Sequence, residues 1–294
     1  MKIGVVGLGR MGLNIAIRLK NAGHEVIGYD PAVKSNEISC VASMQELATT
    51  ARIFWLMVPS GVVDAIIASL EPYLQADDIV IDGGNSFFKD SVRRHDALAQ
   101  KNINFIDCGT SGGLHGATIG FSLMIGGNRD VVEKLKPIFS AIAAPSGFAY
   151  MGPAGAGHYV KMVHNGIEYA TLQAYAEGFH LLKEGTYKNL DLASVAHVWN
   201  HGSIIRSWVC ELAENVLERD SDFTGVSGSI AESGTGQWTV DTAHEVNVAV
   251  PMIEKALELR AWSRKTGGNY ATKMVALLRY EFGGHAVKKE TQDV

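Results

Sequence analysis

The first half of the chain alternates short, almost wholly apolar runs with stretches of helical periodicity. KIGVVG, EVIGY, IFWLMV, DIVIDG, INFID and FSLMIGG read as strands. Their lack of polar alternation is what strands covered on both faces require. Between them, helix-like patterns fall near residues 11–22, 44–50, 60–74, 88–101 and 130–143. Strand–helix alternation of this kind predicts a doubly wound, mostly parallel sheet. Beyond residue 155 the strand signal stops. Helical patterns follow near 157–184, 191–200, 204–219, 237–246, 251–266 and 268–281, with Pro251 placed to open one of them. The expected architecture is an α/β domain over residues 1–155 followed by an all-α domain over 156–294.

One helical stretch has an unusual polar side. In KMVHNGIEY (161–169), Lys161, His164, Asn165, Glu168 and Tyr169 fall on one arc of about 140°, with Met162, Val163, Gly166 and Ile167 opposite. Solvated helix faces usually repeat Glu, Lys, Gln and Arg at i,i+4 spacing. This arc collects an amine, an imidazole, an amide, a carboxylate and a phenol, so it suits a reactive site as well as a surface.

Composition narrows the picture by exclusion. Of 294 residues, 47% are hydrophobic and 19% charged, ordinary for a globular protein with a sizeable core. A net charge of −5 without a basic block gives no footprint for nucleic acid. Cys40, Cys108 and Cys210 are widely spaced, which argues against a disulfide framework or a cysteine zinc site and for a reducing, cytoplasmic setting. His197 and His201 have metal-compatible i,i+4 spacing but no HExxH carboxylate, so no metal is expected. The N-terminal MKIGVVGLG is glycine-broken and reads as a first strand, not a signal peptide, and no apolar run is long enough to span a membrane.

Two motifs carry chemistry. Gly7, Leu8, Gly9, Arg10, Met11 and Gly12 form a GxGxxG loop directly after a strand and at the opening of a helix. Its glycines serve a tight turn, close approach to a pyrophosphate, and helix–strand packing. The helix N-terminus adds a partial positive charge for the phosphates. Asp30 stands about 20 residues further on, where a carboxylate bonds ribose hydroxyls and repels a 2′-phosphate. An NAD(P)-binding Rossmann domain that favours NAD follows; Asp30 beside Pro31 also suits a plain turn, and Lys34 leaves NADP open. The second motif is CGTSGGLHGATIGFSLMIGG, with seven glycines in the 19 residues from Gly109 to Gly127. That density marks a backbone closely approached by a ligand, or a series of tight turns. Ser111 with the N–H groups around Gly112 and Gly113 would cradle a carboxylate. Upstream, DGGNS puts Asn85 at the carboxyl end of a strand, where ligands bind in open α/β sheets.

Together the glycine loop, DGGNS, GTSGG..GA and K..HNGIEY resemble the 6-phosphogluconate dehydrogenases, in the short branch of the β-hydroxyacid dehydrogenases, over essentially the whole chain. KMVHNGIEY is the most specific piece. Relatives acting on 3-hydroxyisobutyrate keep the lysine but typically carry asparagine where His164 stands and lack the Glu–Tyr pair. The resemblance implies Lys161 as general base and later acid, and Glu168 as second acid. It implies Ser111, Gly113, His164 and Asn165 around the substrate carboxylate and hydroxyls, and Tyr169, Thr235 and Arg206 around its phosphate. Val58 and Asn85 would lie near the nicotinamide. Arg279 and His285 match tail residues that such enzymes insert into a neighbouring subunit's site, which implies a homodimer or homotetramer. One departure stands out: the loop reads ESGTGQW, with Glu232 and Ser233 where relatives supply a phosphate-binding lysine.

The implied chemistry asks for these groups. Oxidation of a secondary alcohol needs a base at the hydroxyl as hydride leaves, and a lysine serves if burial or a cation lowers its pKa. The resulting 3-keto acid loses CO2, and the enol is then protonated by a second acid. Lys161 and Glu168 lie two turns apart on one face, about 10 Å along the axis. Two other readings stay open: a non-decarboxylating dehydrogenase of another small or unphosphorylated hydroxy acid, and a nucleotide-sensing module without turnover.

Overall fold

The computed structural model describes residues 1–232 and 234–290. The chain divides into two compact units, Met1–Val163 and His164–Val294.

The first unit holds eight strands: β1 (Lys2–Val6), β2 (Glu25–Tyr29), β3 (Ser39–Cys40), β4 (Ile53–Leu56), β5 (Ile79–Asp82), β6 (Asn104–Ser111), β7 (Phe121–Gly126) and β8 (Ala143–Gly152). They form one sheet in the order β3-β2-β1-β4-β5-β6-β7-β8, and every pair is parallel except β6 with β7. Helices α1 (Arg10–Asn21), α2 (Met44–Thr50), α3 (Val63–Leu70), α4 (Phe88–Ala99), α5 (Gly116–Ile119) and α6 (Arg129–Ile142) connect them. Alternate strand residues feed two apolar clusters: Ile3, Val5, Trp55 and Ile106 join the side chains of α1 and α6, while Val6, Phe54, Leu56 and Phe105 join α2 and α3. That two-sided burial is why these strands read as unbroken apolar runs.

The expected strands and helices of this half are present, with three additions, β3, β8 and the one-turn α5. β3 and β8 sit at the sheet edges, where one flank and part of a face stay exposed, so neither needs an apolar run. β7 turns antiparallel because the segment from Gly112 to Gly120 is too short for the crossover that parallel pairing demands.

Helix α7 (Ala156–Glu184) runs through the division between the units. The second unit continues with α8 (Leu192–Asn200), α9 (Trp208–Arg219), α10 (Thr235–Glu245), α11 (Pro251–Thr266) and α12 (Tyr270–Gly283). Leu172, Phe179, Leu212, Val216, Met274 and Leu278 centre its core. Pro251 opens α11 as expected, and Asn269 with Thr272 closes a capping box on α12. Helix α9 starts later than the periodicity suggests, because Ser207 caps it by accepting the Cys210 N–H at 3.1 Å. Among the described residues, no helix is long and apolar enough to cross a membrane.

Candidate active site

Each glycine of the first loop has its own surroundings. Gly7 adopts φ +91°, and a Cβ there would lie 2.5 Å from the Met57 carbonyl oxygen. A Cβ on Gly12 would run into the Gly7 carbonyl, so α1 packs on β1 only because that position is bare. Gly9 differs: a Cβ there would meet nothing within 4 Å, which leaves open space at the α1 N-terminus for a pyrophosphate. Asp30, just past β2, accepts the Leu8 N–H at 2.8 Å and so ties the loop to the second strand. It also accepts Ala32 and Val33 N–H groups at 2.8 and 2.9 Å, so the turn reading holds alongside. Partial burial would raise this carboxyl, but the three backbone donors outweigh it and hold it below the usual range. These residues fit a dinucleotide, with Val58 half-buried beyond β4.

The DGGNS loop is held from below. Asp82 at the end of β5 is fully buried. It accepts Ser86 Oγ at 2.6 Å, the Gly84 N–H at 3.1 Å and Arg94 Nη1 at 3.3 Å. Arg94 is itself anchored through Nε to Asp64 at 2.7 Å. Asn85, between the two tethered residues, is exposed.

The second glycine-rich stretch divides between two tasks. Gly112 and Gly113 adopt φ +127° and +52° immediately after Ser111, consecutive left-handed positions that favour glycine and suit the expected carboxylate cradle. Most of the other glycines serve packing, which qualifies the expectation of a ligand-lined backbone. A Cβ on Gly109 would run into Lys161 Cβ, and one on Gly126 would lie 2.7 Å from Gly157 N. The N-terminus of α7 thus rests directly on β6 and β7. Asp107 of β6 clamps it there, accepting the Gly155 and His158 N–H groups at 2.7 and 2.8 Å. Lys161 is only 5% exposed, its stem against the same strand that ends in Ser111.

The polar arc of α7 faces inward. Lys161, Asn165 and Tyr169 are buried, whereas Ile167 on the apolar side is 58% exposed. A merely solvated polar face would show the reverse. His164 Nδ1 lies 3.2 Å from Asn165 Oδ1, and Glu168 is half-buried.

In the second unit, a residue absent from the expected set stands at the centre. Arg260 of α11 is 1% exposed, its Cζ lies 3.2 Å from the Tyr169 ring centroid, and Nε, Nη1 and Nη2 have no hydrogen-bond partner among the described residues. Burial pulls this guanidinium down to about 10; Tyr169 opposes the shift, Arg279 adds to it, and Glu168 and Glu232 oppose it. Arg279 is 7% exposed; burial lowers it as well, against Tyr169, Glu168 and Glu232. Thr235 opens α10 and is buried, and a Cβ on Gly236 would run into the Tyr169 ring. Two arginines, a tyrosine and a helix N-terminus therefore converge, an arrangement suited to a dianion. Arg260 had a legible signal: Ala256, Arg260 and Ser263 form the buried stripe of α11.

Other expected residues lie elsewhere. Arg206 is exposed on the turn before α9 and not in a helix. His285 follows α12 and packs edge-on against Phe282, ring centroids 6.0 Å apart. Ser233 lies outside the described residues; its neighbour Glu232 accepts Arg264 Nη2 through Oε2 at 3.1 Å, while Oε1 is buried without a partner among the described residues. His197 bonds Glu214 at 2.7 Å, and His201 Nδ1 turns to the His197 carbonyl.

A glycine loop built for a dinucleotide, followed by a buried lysine beside a glycine cradle, defines a nicotinamide-dependent oxidoreductase. Comparison with known proteins narrows the class. The model for the NAD binding domain of 6-phosphogluconate dehydrogenase matches residues 2–162, and that for the 6-phosphogluconate dehydrogenase C-terminal domain matches 157–292. A "6-phosphogluconate dehydrogenase, NAD(+)-dependent, decarboxylating" of Haloferax volcanii is 45% identical over 302 residues, covering 99% of each chain. A Plasmodium falciparum 6-phosphogluconate dehydrogenase superposes with TM-score 0.81 at 29% identity, over 90% of this chain and 62% of that longer one. A Mycobacterium tuberculosis 3-hydroxyisobutyrate dehydrogenase shares the fold, with TM-score 0.72 at 22% identity over 95% of this chain and 99% of that one. This chain belongs to the 6-phosphogluconate dehydrogenase family.

Proposed function

We propose that the protein catalyses NAD-preferring oxidative decarboxylation of 6-phospho-D-gluconate to ribulose 5-phosphate and CO2. Arg260 carries the substrate reading: a buried guanidinium with three unpartnered nitrogens costs free energy unless an anion joins it. With Arg279, Tyr169 and the α10 N-terminus it forms the phosphate end, a role that passes from the exposed Arg206 to Arg260.

The loop Gly7–Gly12 and Asp30 would hold the dinucleotide, with Val58 and Asn85 near its nicotinamide. When bound, that group accepts hydride from the substrate's C3. Lys161 takes the C3 hydroxyl proton as the hydride departs. The protonated amine then donates to the C3 carbonyl oxygen, which draws the electrons of the C1–C2 bond as CO2 leaves. Glu168, about 10 Å along the helix from Lys161, delivers a proton to the enol carbon. Ser111 with the Gly112 and Gly113 N–H groups holds the departing carboxylate, and His164 and Asn165 hold hydroxyls. Asp30 supports NAD, since a 2′-phosphate would face a carboxylate kept ionised by three donors.

Exposed Leu181, Val198, Ile204 and Met252 support a homodimer or homotetramer. The cysteines are free, which fits a cytoplasmic setting. One observation favours the reading with an unphosphorylated substrate: Glu232 places a carboxylate where a cation would help. Steady-state rates with 6-phosphogluconate and gluconate, each with NAD and NADP, separate the two. The proposal expects kcat/KM to fall at least 100-fold without the phosphate; equal values would transfer the assignment to an unphosphorylated acid.

A further inference from the structure

Lys161 stands on α7, whereas Asn85 stands on the loop that leads into α4, and both positions belong to the first unit. The start of α7 is braced against α4. A Cβ on Gly155, just ahead of α7, would lie 2.8 Å from Val92 Cγ2 and 3.0 Å from the Phe88 carbonyl oxygen. Phe88 and Tyr159 meet edge-on with ring centroids 5.2 Å apart. Beside these apolar contacts, His158 Nδ1 lies 2.7 Å from Ser91 Oγ, with the two residues 1% and 0% exposed. Packing tolerates small slips, but a short buried hydrogen bond fixes both distance and direction.

The proton positions in this bond follow from its neighbours. Ser91 Oγ also lies 3.4 Å from the Phe87 carbonyl, one turn back along α4. A carbonyl can only accept, so the single Ser91 proton serves it when the imidazole donates from Nδ1. Nε2 is then a bare lone pair, buried with no partner among the described residues. The other tautomer would bury an N–H there without an acceptor, the costlier arrangement. The bonds therefore run from His158 through Ser91 to Phe87, which directly follows the DGGNS loop.

We propose that His158 is a positioning residue for Lys161: as the Nδ1–H tautomer it ties α7, through Ser91, to the foot of the DGGNS loop and so fixes the amine relative to the nicotinamide that Asn85 flanks. This rests on the roles of Lys161 and Asn85 proposed above. Asp107 holds the start of α7 on the sheet, and His158 holds it on α4, so the helix is restrained in two directions. Lys161 follows His158 by three residues, so a slip at the imidazole is carried to the amine within one turn.

Three replacements of His158 test it in the full-length enzyme. His158→Leu keeps bulk without a donor, His158→Asn sets an amide where Nδ1 stands, and His158→Gln sets one where Nε2 stands. The leucine variant should lose about 10- to 100-fold in kcat, with KM for NAD and for 6-phosphogluconate within about threefold of wild type. Asparagine should recover most of that kcat and glutamine little of it. Ser91→Ala, a milder change, should lower kcat alone but cost nothing further when added to His158→Leu, because both remove the same bond. Equal kcat for the asparagine and leucine variants, or additive losses in the double variant, overturns the proposal. 15N NMR of the imidazole in the ligand-free protein reads the tautomer without any substrate: a proton on Nδ1 supports the proposal, and one on Nε2 alone contradicts it. A wild-type enzyme inactive on 6-phosphogluconate defeats the substrate reading instead, and the same kcat ratios, taken with the hydroxy acid it does oxidise, decide the role of His158.

Discussion

Arg260→Met should stabilise the free protein while weakening its hold on substrate, an opposition of signs that few structural residues could produce. The guanidinium is 1% exposed and all three nitrogens lack partners among the described residues. Burial lowers it from its ordinary value to about 10, which corresponds to about 3 kcal/mol of penalty on the charged form. At neutral pH the charge is retained, so the folded protein bears that cost. Replacement by a side chain of similar length removes it and forfeits the contact with the Tyr169 face, worth about 1–2 kcal/mol. The net expectation is a gain of about 1–2 kcal/mol, a few degrees in thermal midpoint. Loss of a desolvated charge-assisted contact to phosphate costs about 2–4 kcal/mol, a rise in KM of roughly 30- to 1000-fold. Differential scanning fluorimetry with and without 6-phosphogluconate reads both effects: the variant should melt higher alone and gain little from the ligand. A variant that melts lower and keeps its KM would refute the reasoning, because Arg260 would then be a structural cation.

Further expectations concern the same architecture. Hydrogen bonding from Arg94, with Arg93 adding to it, holds the Asp64 carboxyl at about 2 in spite of partial burial. Its folded value lies below its unfolded one, so its contribution is complete above about pH 4 and fades as pH falls toward 2. Asp64→Asn should flatten the thermal midpoint across that window; an unchanged slope would show the pair contributes nothing. Glu232→Gln removes a carboxylate near Arg260 and Arg279 and should tighten competitive inhibition by inorganic phosphate about five- to tenfold, roughly 1 kcal/mol. An unchanged inhibition constant would place Glu232 outside the anion's field. Asp107→Asn can accept at only one of the two clamped N–H groups, so α7 and Lys161 should lose register on β6. A fall in kcat of about 10- to 100-fold with NAD affinity intact is expected; loss of NAD binding alone would contradict a positioning role.

Much of this is legible in the sequence. The strands of the first unit are buried on both faces, so their apolar runs marked them, and Gly7, Gly9 and Gly12 have the separate surroundings their spacing implied. β8 was not legible because an edge strand carries no such run. The mixed chemistry of the α7 arc pointed to a site, and its burial agrees with that. The resemblance pointed to Arg206, whereas the arginine buried over Tyr169 is Arg260, whose place on the stripe Ala256, Arg260 and Ser263 of α11 was its one signal. Glycine density near residues 109–127 suggested ligand contact; Gly109 and Gly126 instead let α7 lie directly on the sheet, and Gly116, Gly120 and Gly127 serve packing within the first unit. Asp107, which sets that contact, gave no sign because the two N–H groups it clamps lie 48 and 51 residues away.

The most direct test of the account measures reduced nicotinamide and released CO2 together, from 6-phosphogluconate labelled at C1, with NAD as cofactor. The account predicts one labelled CO2 for each NAD reduced, and loss of CO2 release in step with NAD reduction when Lys161 is replaced by methionine. NAD reduction without CO2 would contradict the central claim and make the protein a non-decarboxylating hydroxyacid dehydrogenase.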